Sequence, residues 1–199
     1  VVLEDAVYAD LRFDGPPLPP SMLSMDASGR VVQAHSFSKI VATGLRLGWI
    51  TGQAEMIDAM HAVRADLGVS QWLARIMSEF MARGELDPQI ERARAMYRSK
   101  RDVVVSALRE HCGSLIDFKL PNGGIFFWIS VSDEVDWDRA KQEAARGGVA
   151  VRDSDRFMLI RRTDGSHHFR LCFGHLDENE LRLGIAIIGR ALKSALRKR

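Results

Sequence analysis

The sequence has few cysteines, little net charge and no long apolar run, and each shortage excludes a class of protein. Its two cysteines, Cys112 and Cys172, are too few for a disulfide framework and favour a reducing, cytoplasmic location. A net charge of +2 gives no argument for a nucleic-acid partner. No apolar run approaches the roughly 18 residues of a membrane span, and no signal-peptide pattern opens the chain. We therefore expect an ordinary soluble globular protein with no membrane partner.

Patterns for two other kinds of site are incomplete. His167 and His168 are adjacent on a predicted strand, where neighbouring side chains point to opposite faces, so we predict no metal site. Residues 36–39 fit the S-x-x-K pattern of penicillin-interacting serine enzymes. The S-D-N and K-T-G elements that accompany that pattern are absent from the sequence, so this interpretation fails.

The reactive side chains are concentrated in residues 35–49, between two apolar runs that predict strands. A lysine at position 39 would be screened from water, and desolvation beside Arg46 would lower the pKa of its amine. Ser36, Ser38 and Arg46 offer hydroxyls and a planar guanidinium that bind phosphate. An amine nucleophile beside a phosphate-binding group is what a pyridoxal phosphate site requires. The same residues would also suit a solvated turn, so this chemistry alone leaves both interpretations open.

Four segments, in order along the chain, carry a resemblance to a known family. Ser-Phe-Ser-Lys followed by Gly-Leu-Arg-Leu-Gly-Trp (36–49) resembles the cofactor-lysine segment of fold-type I pyridoxal phosphate enzymes, the class I/II aminotransferases. Residues 4–8, 121–128 and 169–173 match the same family. The match is closest to the branch that holds aminoadipate, aromatic and kynurenine-type aminotransferases.

The resemblance implies a role for each matching residue near the cofactor. Lys39 would carry pyridoxal phosphate and move a proton during amino transfer. Asp5 would pair with the pyridine nitrogen, which keeps the ring positive as an electron sink, and Tyr8 would bond the phenolic oxygen. The implied cofactor-binding set is Asp5, Tyr8, Ser36, Ser38, Lys39 and Arg46.

The resemblance also assigns the substrate carboxylate to Arg170. A guanidinium grips a carboxylate with two parallel hydrogen bonds, which a lysine cannot do. The alternating segment 169–173 places this charge on the face opposite its apolar neighbours. Where family members often have Pro-Gly, this chain has Arg-Asp-Ser-Asp-Arg at 152–156, near the expected substrate entrance.

The predicted fold class is α/β with three parts. Residues 1–87 would be the C-terminal part of a large cofactor-binding domain, a mostly parallel sheet with helices. Residues 88–112 would form a long interdomain helix, and residues 113–199 a small α/β domain.

Local patterns predict the individual elements. The expected strands are 1–5, 31–36, 45–50, 124–131, 149–151 and 168–173. The expected helices are 54–66, 71–82, 88–111, 137–146 and one that begins at an Asp177 capping box, with residues 14–30 a loop. The core stripe of the last helix would be Leu181, Ile185, Ile188, Leu192 and Leu196.

The resemblance bears on the whole protein as well. The chain opens inside a strand pattern, and the resembling enzymes carry a long N-terminal half before this point, so we expect a C-terminal part of a larger enzyme. By itself it would lack the aromatic residue that stacks on the cofactor ring and would not form a competent site. The resemblance implies a homodimer in which residues 66–72 approach the partner's cofactor.

The expected reaction moves an amino group between an L-amino acid and a 2-oxo acid. Two other functions stay open from the sequence. Some bacterial regulators join a winged-helix DNA-binding domain to an aminotransferase-like domain, and their C-terminal parts would look similar. A lyase or decarboxylase on the same fold would use the same lysine.

Overall fold

The computed structural model describes residues 1–66, 68–157 and 166–197, and the chain divides into two compact units, Val1–Ala95 and Met96–Arg199. Both units combine a sheet with helices, so the predicted α/β class is confirmed. The division falls inside the longest helix, α4 (Leu86–His111). Within the described ranges, no helix is long and apolar enough to cross a membrane.

The first unit contains a three-stranded sheet, β1 (Val2–Asp5), β2 (Val31–Ser36) and β3 (Gly48–Thr51), in that order. β1 and β2 are parallel, whereas β2 and β3 are antiparallel. The sequence predicted a mostly parallel sheet here. Among the described strands of this sheet, only the β1–β2 pair has that arrangement.

Burial in this sheet differs from the apolar pattern. Val31 and Val32 on the central strand are buried as predicted, but Val2 and Leu3 on β1 are 44% and 62% exposed. The reason is position, because β1 is an edge strand with one described neighbour. A short apolar run alone does not distinguish an edge strand from an inner strand.

Three helices precede α4 in the first unit: α1 (Met22–Met25), α2 (Ala54–Ala62) and α3 (Gln71–Ala82). The predicted bounds of α3 are confirmed, and the Ser70 hydroxyl accepts the Leu73 N–H as its cap at 3.4 Å. α4 starts at Leu86, two residues before the predicted start.

Three predictions in this unit were wrong. The strand predicted at 45–50 begins only at Gly48, because Leu45 belongs to the 3-10 turn Thr43–Leu45. α2 ends at Ala62 rather than near Asp66, because the Asp66 carboxylate accepts the Gly68 N–H at 2.6 Å and forms a local turn that competes with the helix. The predicted loop 14–30 contains α1, whose first N–H groups are accepted by the carboxylate of Glu4 at 3.1 and 3.2 Å. Ser21 caps the same helix by accepting the Ser24 N–H at 3.1 Å, so a local cap signal was present in the sequence and was missed.

The second unit contains an antiparallel sheet in the order β4-β5-β7-β6. Its strands are β4 (Ile116–Phe118), β5 (Phe126–Val131), β6 (Arg152–Asp153) and β7 (His167–Cys172). Helices α5 (Trp137–Arg146) and α6 (Glu178–Ser194) complete it, with the predicted cap at Asp136 and the predicted capping box at Asp177.

Alternation along the two central strands separates a core face from an outer face. Phe127, Ile129 and Phe169 are at most 1% exposed, whereas Trp128 is 40% exposed and Arg170 is half-buried. Four of the five residues predicted for the core stripe of α6 are buried with them: Leu181, Ile185, Ile188 and Leu192. The outer face therefore carries the aromatic and cationic side chains.

Three predictions in this unit need correction. The predicted strand 149–151 is absent, because the Val149 N–H is taken by the Ala144 carbonyl at the end of α5, and pairing starts only at Arg152. Leu196 is 40% exposed and lies past the end of α6, where it forms a bridge with Val135. Strand β4 was not predicted.

Candidate active site

The candidate cofactor lysine lies in a turn directly after β2. Ser36 is the register partner of Gly48, so β2 and β3 hold the loop between them at its two ends. The Val41 N–H donates to the Phe37 carbonyl at 2.9 Å, which closes a turn around Lys39. The Phe37 and Ile40 side chains are buried and anchor this turn, while Lys39 is half-buried.

The two serine hydroxyls of this turn lie side by side. Ser36 Oγ is 2.9 Å from Ser38 Oγ and accepts the Ser38 backbone N–H at 3.1 Å. The Ser36 hydroxyl also lies 3.2 Å from the Leu47 carbonyl, which ties it to the return of the loop. Two hydroxyl groups therefore lie together on the residues just before Lys39.

Arg46 adds a cation at the other end of the same loop. Its backbone adopts a left-handed conformation with φ of 50°, which non-glycine residues rarely adopt. Such backbone strain clusters at ligand-binding sites, where the surrounding structure enforces it. The guanidinium is exposed, with Nη1 donating to the Thr43 carbonyl at 3.4 Å. Lys39 itself is half-buried, so the predicted screening of this lysine from water is partial.

Asp5 and Tyr8 lie at the same edge of the sheet as the lysine turn. Asp5 is the register partner of Ala34 in the parallel pair, and Ser36 follows two residues later on the same face. Ligand sites of α/β sheets lie at the carboxyl ends of parallel strands, which is where Asp5 and Ser36 end β1 and β2. Tyr8 is half-buried at the start of the turn that follows.

The chemistry of these side chains fits pyridoxal phosphate. A primary amine, two adjacent hydroxyls and a guanidinium occur in one loop, and a carboxylate ends the neighbouring strand. These are the groups needed to bond an aldehyde carbon, to bind phosphate and to pair with a pyridinium nitrogen. Gly44, in the same loop, has nothing within 4 Å of where a Cβ would stand, so the loop leaves open space there.

The opposite face of this sheet carries a series of contacting side chains that was not predicted from the sequence. The Gln33 amide donates to Glu4 at 3.0 Å, and its oxygen lies 2.8 Å from His35 Nε2. The His35 ring stacks on Trp49 with centroids 4.9 Å apart, and Phe37 contacts the same tryptophan. Strand alternation across the β2–β3 pair was the signal that could have found these neighbours.

Arg170 belongs to the second unit, whereas the other six candidate residues belong to the first. It lies on β7, directly opposite Trp128 on β5 and Arg152 on β6. Its guanidinium carbon is 4.3 Å from the Phe126 ring centroid and 4.0 Å from that of Phe157. In the described part of the chain, no carboxylate pairs with it.

A close backbone approach at Gly48 gives a stability prediction. A Cβ at this position would lie 2.7 Å from the His35 carbonyl oxygen, and backbone cannot shift cheaply. Because overpacking typically costs about 1–3 kcal/mol, we expect Gly48→Ala to lower the free energy of unfolding by that amount and to weaken cofactor retention. Denaturant titration and cofactor absorbance would measure both.

Gly44→Ala is the matched control, since a methyl group there meets nothing within 4 Å and the backbone conformation suits alanine. Its unfolding free energy should stay within about 0.5 kcal/mol of wild type. Equal stability of the two variants would contradict the packing argument for the loop.

The first unit therefore carries a lysine turn at the carboxyl edge of its sheet. The sheet of the second unit carries an arginine in contact with aromatic rings. The sequence model of the family described as "Aminotransferase class I and II" matches residues 1–188. The chain belongs to the class I and II aminotransferase family.

Individual relatives include enzymes and a regulator. The chain is 29% identical to aromatic-amino-acid aminotransferase 1 of Thermococcus litoralis over 200 residues, covering 100% of this chain and 47% of the relative. It is 31% identical to the HTH-type transcriptional regulator TauR of Rhodobacter capsulatus over 176 residues, covering 87% of this chain and 36% of the regulator.

Among solved structures, the kynurenine aminotransferase of Pyrococcus horikoshii, crystallised in complex with PMP, superposes with a TM-score of 0.88 at 30% identity. That match covers 100% of this chain and 49% of the enzyme. The chain thus spans about half the length of these aminotransferases.

Proposed function

We propose that this chain supplies the cofactor lysine and the substrate-binding arginine of a pyridoxal phosphate-dependent aminotransferase. The reaction would move an amino group between an L-amino acid and a 2-oxo acid. The observation that carries the proposal is the Lys39 turn, in which the Ser36 and Ser38 hydroxyls, 2.9 Å apart, directly precede the lysine at the carboxyl edge of the sheet. Membership of the aminotransferase family supports the cofactor, as does the PMP complex of the Pyrococcus enzyme.

The six candidate residues of the first unit would divide the binding of the cofactor among them. Ser36, Ser38 and Arg46 would bind the phosphate, because hydroxyl and guanidinium donors suit its oxygens. The Asp5 carboxylate would hold the proton of the pyridine nitrogen, and the Tyr8 hydroxyl would bond the phenolic oxygen. Lys39 Nζ would be the point of covalent attachment.

Proton movement would be the second task of Lys39. Pyridoxal phosphate, when bound, withdraws electrons from the carbon that bears the amino group, so that this carbon loses a proton more easily. Lys39 Nζ, once displaced by the incoming amino acid, would accept that proton from Cα and deliver it to the cofactor carbon on the other side of the nitrogen. The half-buried position of Lys39 would limit competition by water for the proton.

Arg170 would orient the substrate through its α-carboxylate. Within the described residues this guanidinium has aromatic neighbours and no acidic partner, so its donors are available to an incoming carboxylate. The 2-oxo acid carries the same carboxylate and would use the same contact in the second half of the reaction.

The experiment that tests the function is a transamination assay. The intact protein, loaded with pyridoxal phosphate, would be offered a panel of L-amino acids together with a 2-oxo acid. We expect formation of the amino acid that corresponds to the 2-oxo acid. Release of carbon dioxide or of an elimination product in its place would assign the protein to the lyases or decarboxylases.

A second candidate function is an effector-binding domain of a transcriptional regulator, favoured by the 31% identity to TauR. The same Lys39 and Arg170 would then bind cofactor and an amino-acid effector without turnover. Any sequence that precedes Val1 in the full-length protein would distinguish the two, since a basic helix-turn-helix there means a regulator.

We propose the domain division that the sequence suggested, with a large-domain part at 1–87, an interdomain helix at 88–112 and a small domain at 113–199. The separation of two compact units inside α4 supports it. A cytoplasmic location is supported by the two free thiols, of which Cys172 is exposed. Burial raises the pKa of the Cys112 thiol to about 11, which keeps it unreactive.

Homodimer formation is also a proposal, supported by exposed apolar side chains on and near α3. Trp72 is 74% exposed and Ile76, one helical turn later, is 44% exposed. Residues 66–72, expected to approach the partner, include position 67, which lies outside the described residues. Exposed apolar patches of this kind mark interaction surfaces.

The dimer prediction concerns Trp72. Light scattering of the intact protein should give twice the chain mass, and Trp72→Glu should shift it toward the monomer because a charge replaces buried apolar area. Arg75→Ala, on the same helix but removing only an exposed ion pair with Glu79, should leave the dimer unchanged. A wild-type monomer would contradict the proposal.

A further inference from the structure

The guanidinium of Arg170 lies against two aromatic rings of the second unit. Its central carbon is 4.3 Å from the centroid of Phe126 and 4.0 Å from that of Phe157. Two rings at these distances are in cation–π contact. A guanidinium donates hydrogen bonds only in its own plane. Contacts with rings on its faces therefore leave its in-plane N–H groups to bind a ligand.

The two rings come from different parts of the second unit. Phe126 lies on β5 opposite Cys172, diagonal to Arg170 on the same outer face of the sheet. Phe157 ends the short 3-10 turn Ser154–Phe157, which follows β6. The ring centroids of Phe157 and Trp128 also lie 6.3 Å apart, in an edge-to-face arrangement. The turn therefore brings a ring to the arginine that the sheet alone would not supply.

An ion pair fixes the start of this turn. Asp153 accepts a hydrogen bond from the Trp137 indole N–H and another from Lys141 Nζ, both at 2.6 Å. Burial favours a lower pKa for Lys141, but its hydrogen bonds with Asp153 and Asp138 raise the pKa on balance, so the ammonium stays charged. Asp153 is also the register partner of Phe169, the buried neighbour of Arg170.

We infer that Phe157 is a positioning residue for Arg170. This role rests on the proposed function, because the anion that Arg170 binds is taken to be the substrate carboxylate. Phe157 and Phe126 hold the guanidinium in one plane, so that its edge meets the carboxylate without first losing rotamer freedom. The rings also displace water that would compete for the positive charge. Phe157 acts through Arg170 and forms no hydrogen bond with the substrate.

The test begins with Phe157→Ala in the intact, cofactor-loaded protein. We expect KM for the amino acid to rise about tenfold, equivalent to roughly 1.4 kcal/mol, with kcat within about twofold and an unchanged cofactor absorbance spectrum. Phe157→Tyr, which keeps the ring, should restore KM. Phe118→Ala is the matched control, because Phe118 contacts Phe127 and lies on β4, away from Arg170. A KM within twofold of wild type for Phe157→Ala would overturn the inference.

A second readout does not depend on turnover. Phenylglyoxal modifies accessible guanidinium groups, and peptide mass mapping would follow its rate at Arg170. Because stacked rings shield the guanidinium, the rate should rise at least about threefold in Phe157→Ala and stay unchanged in Phe118→Ala. If the protein catalyses no transamination, this rate alone decides the inference, since equal rates in wild type and Phe157→Ala would overturn it. A faster rate without any activity would instead keep the positioning role and reject the proposed function.

Discussion

Replacing Lys39 with alanine should abolish transamination, and we expect this to be the largest effect of any single substitution in the chain. The variant loses both the covalent attachment point and the amine that moves the proton. Since proton transfer by a positioned side chain alone contributes roughly 10²–10⁴-fold, kcat should fall by at least about 10³-fold. Lys39→Arg should be equally inactive, because a guanidinium keeps the charge but is never a free amine.

Lys119→Ala provides the control for this substitution. Lys119 is exposed and lies in the other unit, so its removal should leave kcat and cofactor content unchanged. Steady-state assays of the three variants, with matched cofactor loading, measure the effect. Activity in Lys39→Ala within tenfold of wild type would mean that another residue carries the reaction.

Arg170→Lys should preserve cofactor binding while weakening the substrate. A lysine keeps the positive charge but loses the two parallel hydrogen bonds, and its compact ammonium stacks less well between Phe126 and Phe157. Truncating one partner of a hydrogen-bonded charge pair costs on the order of 2–5 kcal/mol, so KM should rise by roughly 30-fold or more. The cofactor absorbance should match wild type.

The control for Arg170 is Arg182→Lys, an exposed arginine on α6. It should change neither KM nor kcat, because surface substitutions away from a site have small effects. Should Arg170→Lys keep a KM within twofold of wild type, Arg170 would have a structural role only.

Elements with local end signals could be predicted closely from the sequence. Ser70 caps α3, Asp136 caps α5 and the Asp177–Glu180 capping box starts α6. In each case the cap side chain accepts an N–H only three residues later. The family was likewise identified from the sequence, because four short segments match it in order: 4–8, 36–49, 121–128 and 169–173.

Features that depend on distant residues could not be predicted. Glu4 accepts N–H groups of α1 from 18 and 19 residues away, and strand pairing starts at β6 rather than at residue 149 because the end of α5 uses the Val149 N–H. The left-handed backbone at Arg46 has no glycine to signal it. The ring contact between Phe157 and Arg170 arises only when a turn after β6 meets β7.

The measurement that tests the central claim most directly is the location of the cofactor on the chain. Borohydride reduces the bond between a lysine amine and the pyridoxal carbon to a stable one, and peptide mass mapping then identifies the labelled residue. We predict a pyridoxyl group on Lys39 of the intact protein and no label in Lys39→Ala. A label on a different lysine, or an unlabelled protein that still converts amino acids to 2-oxo acids, would contradict the account.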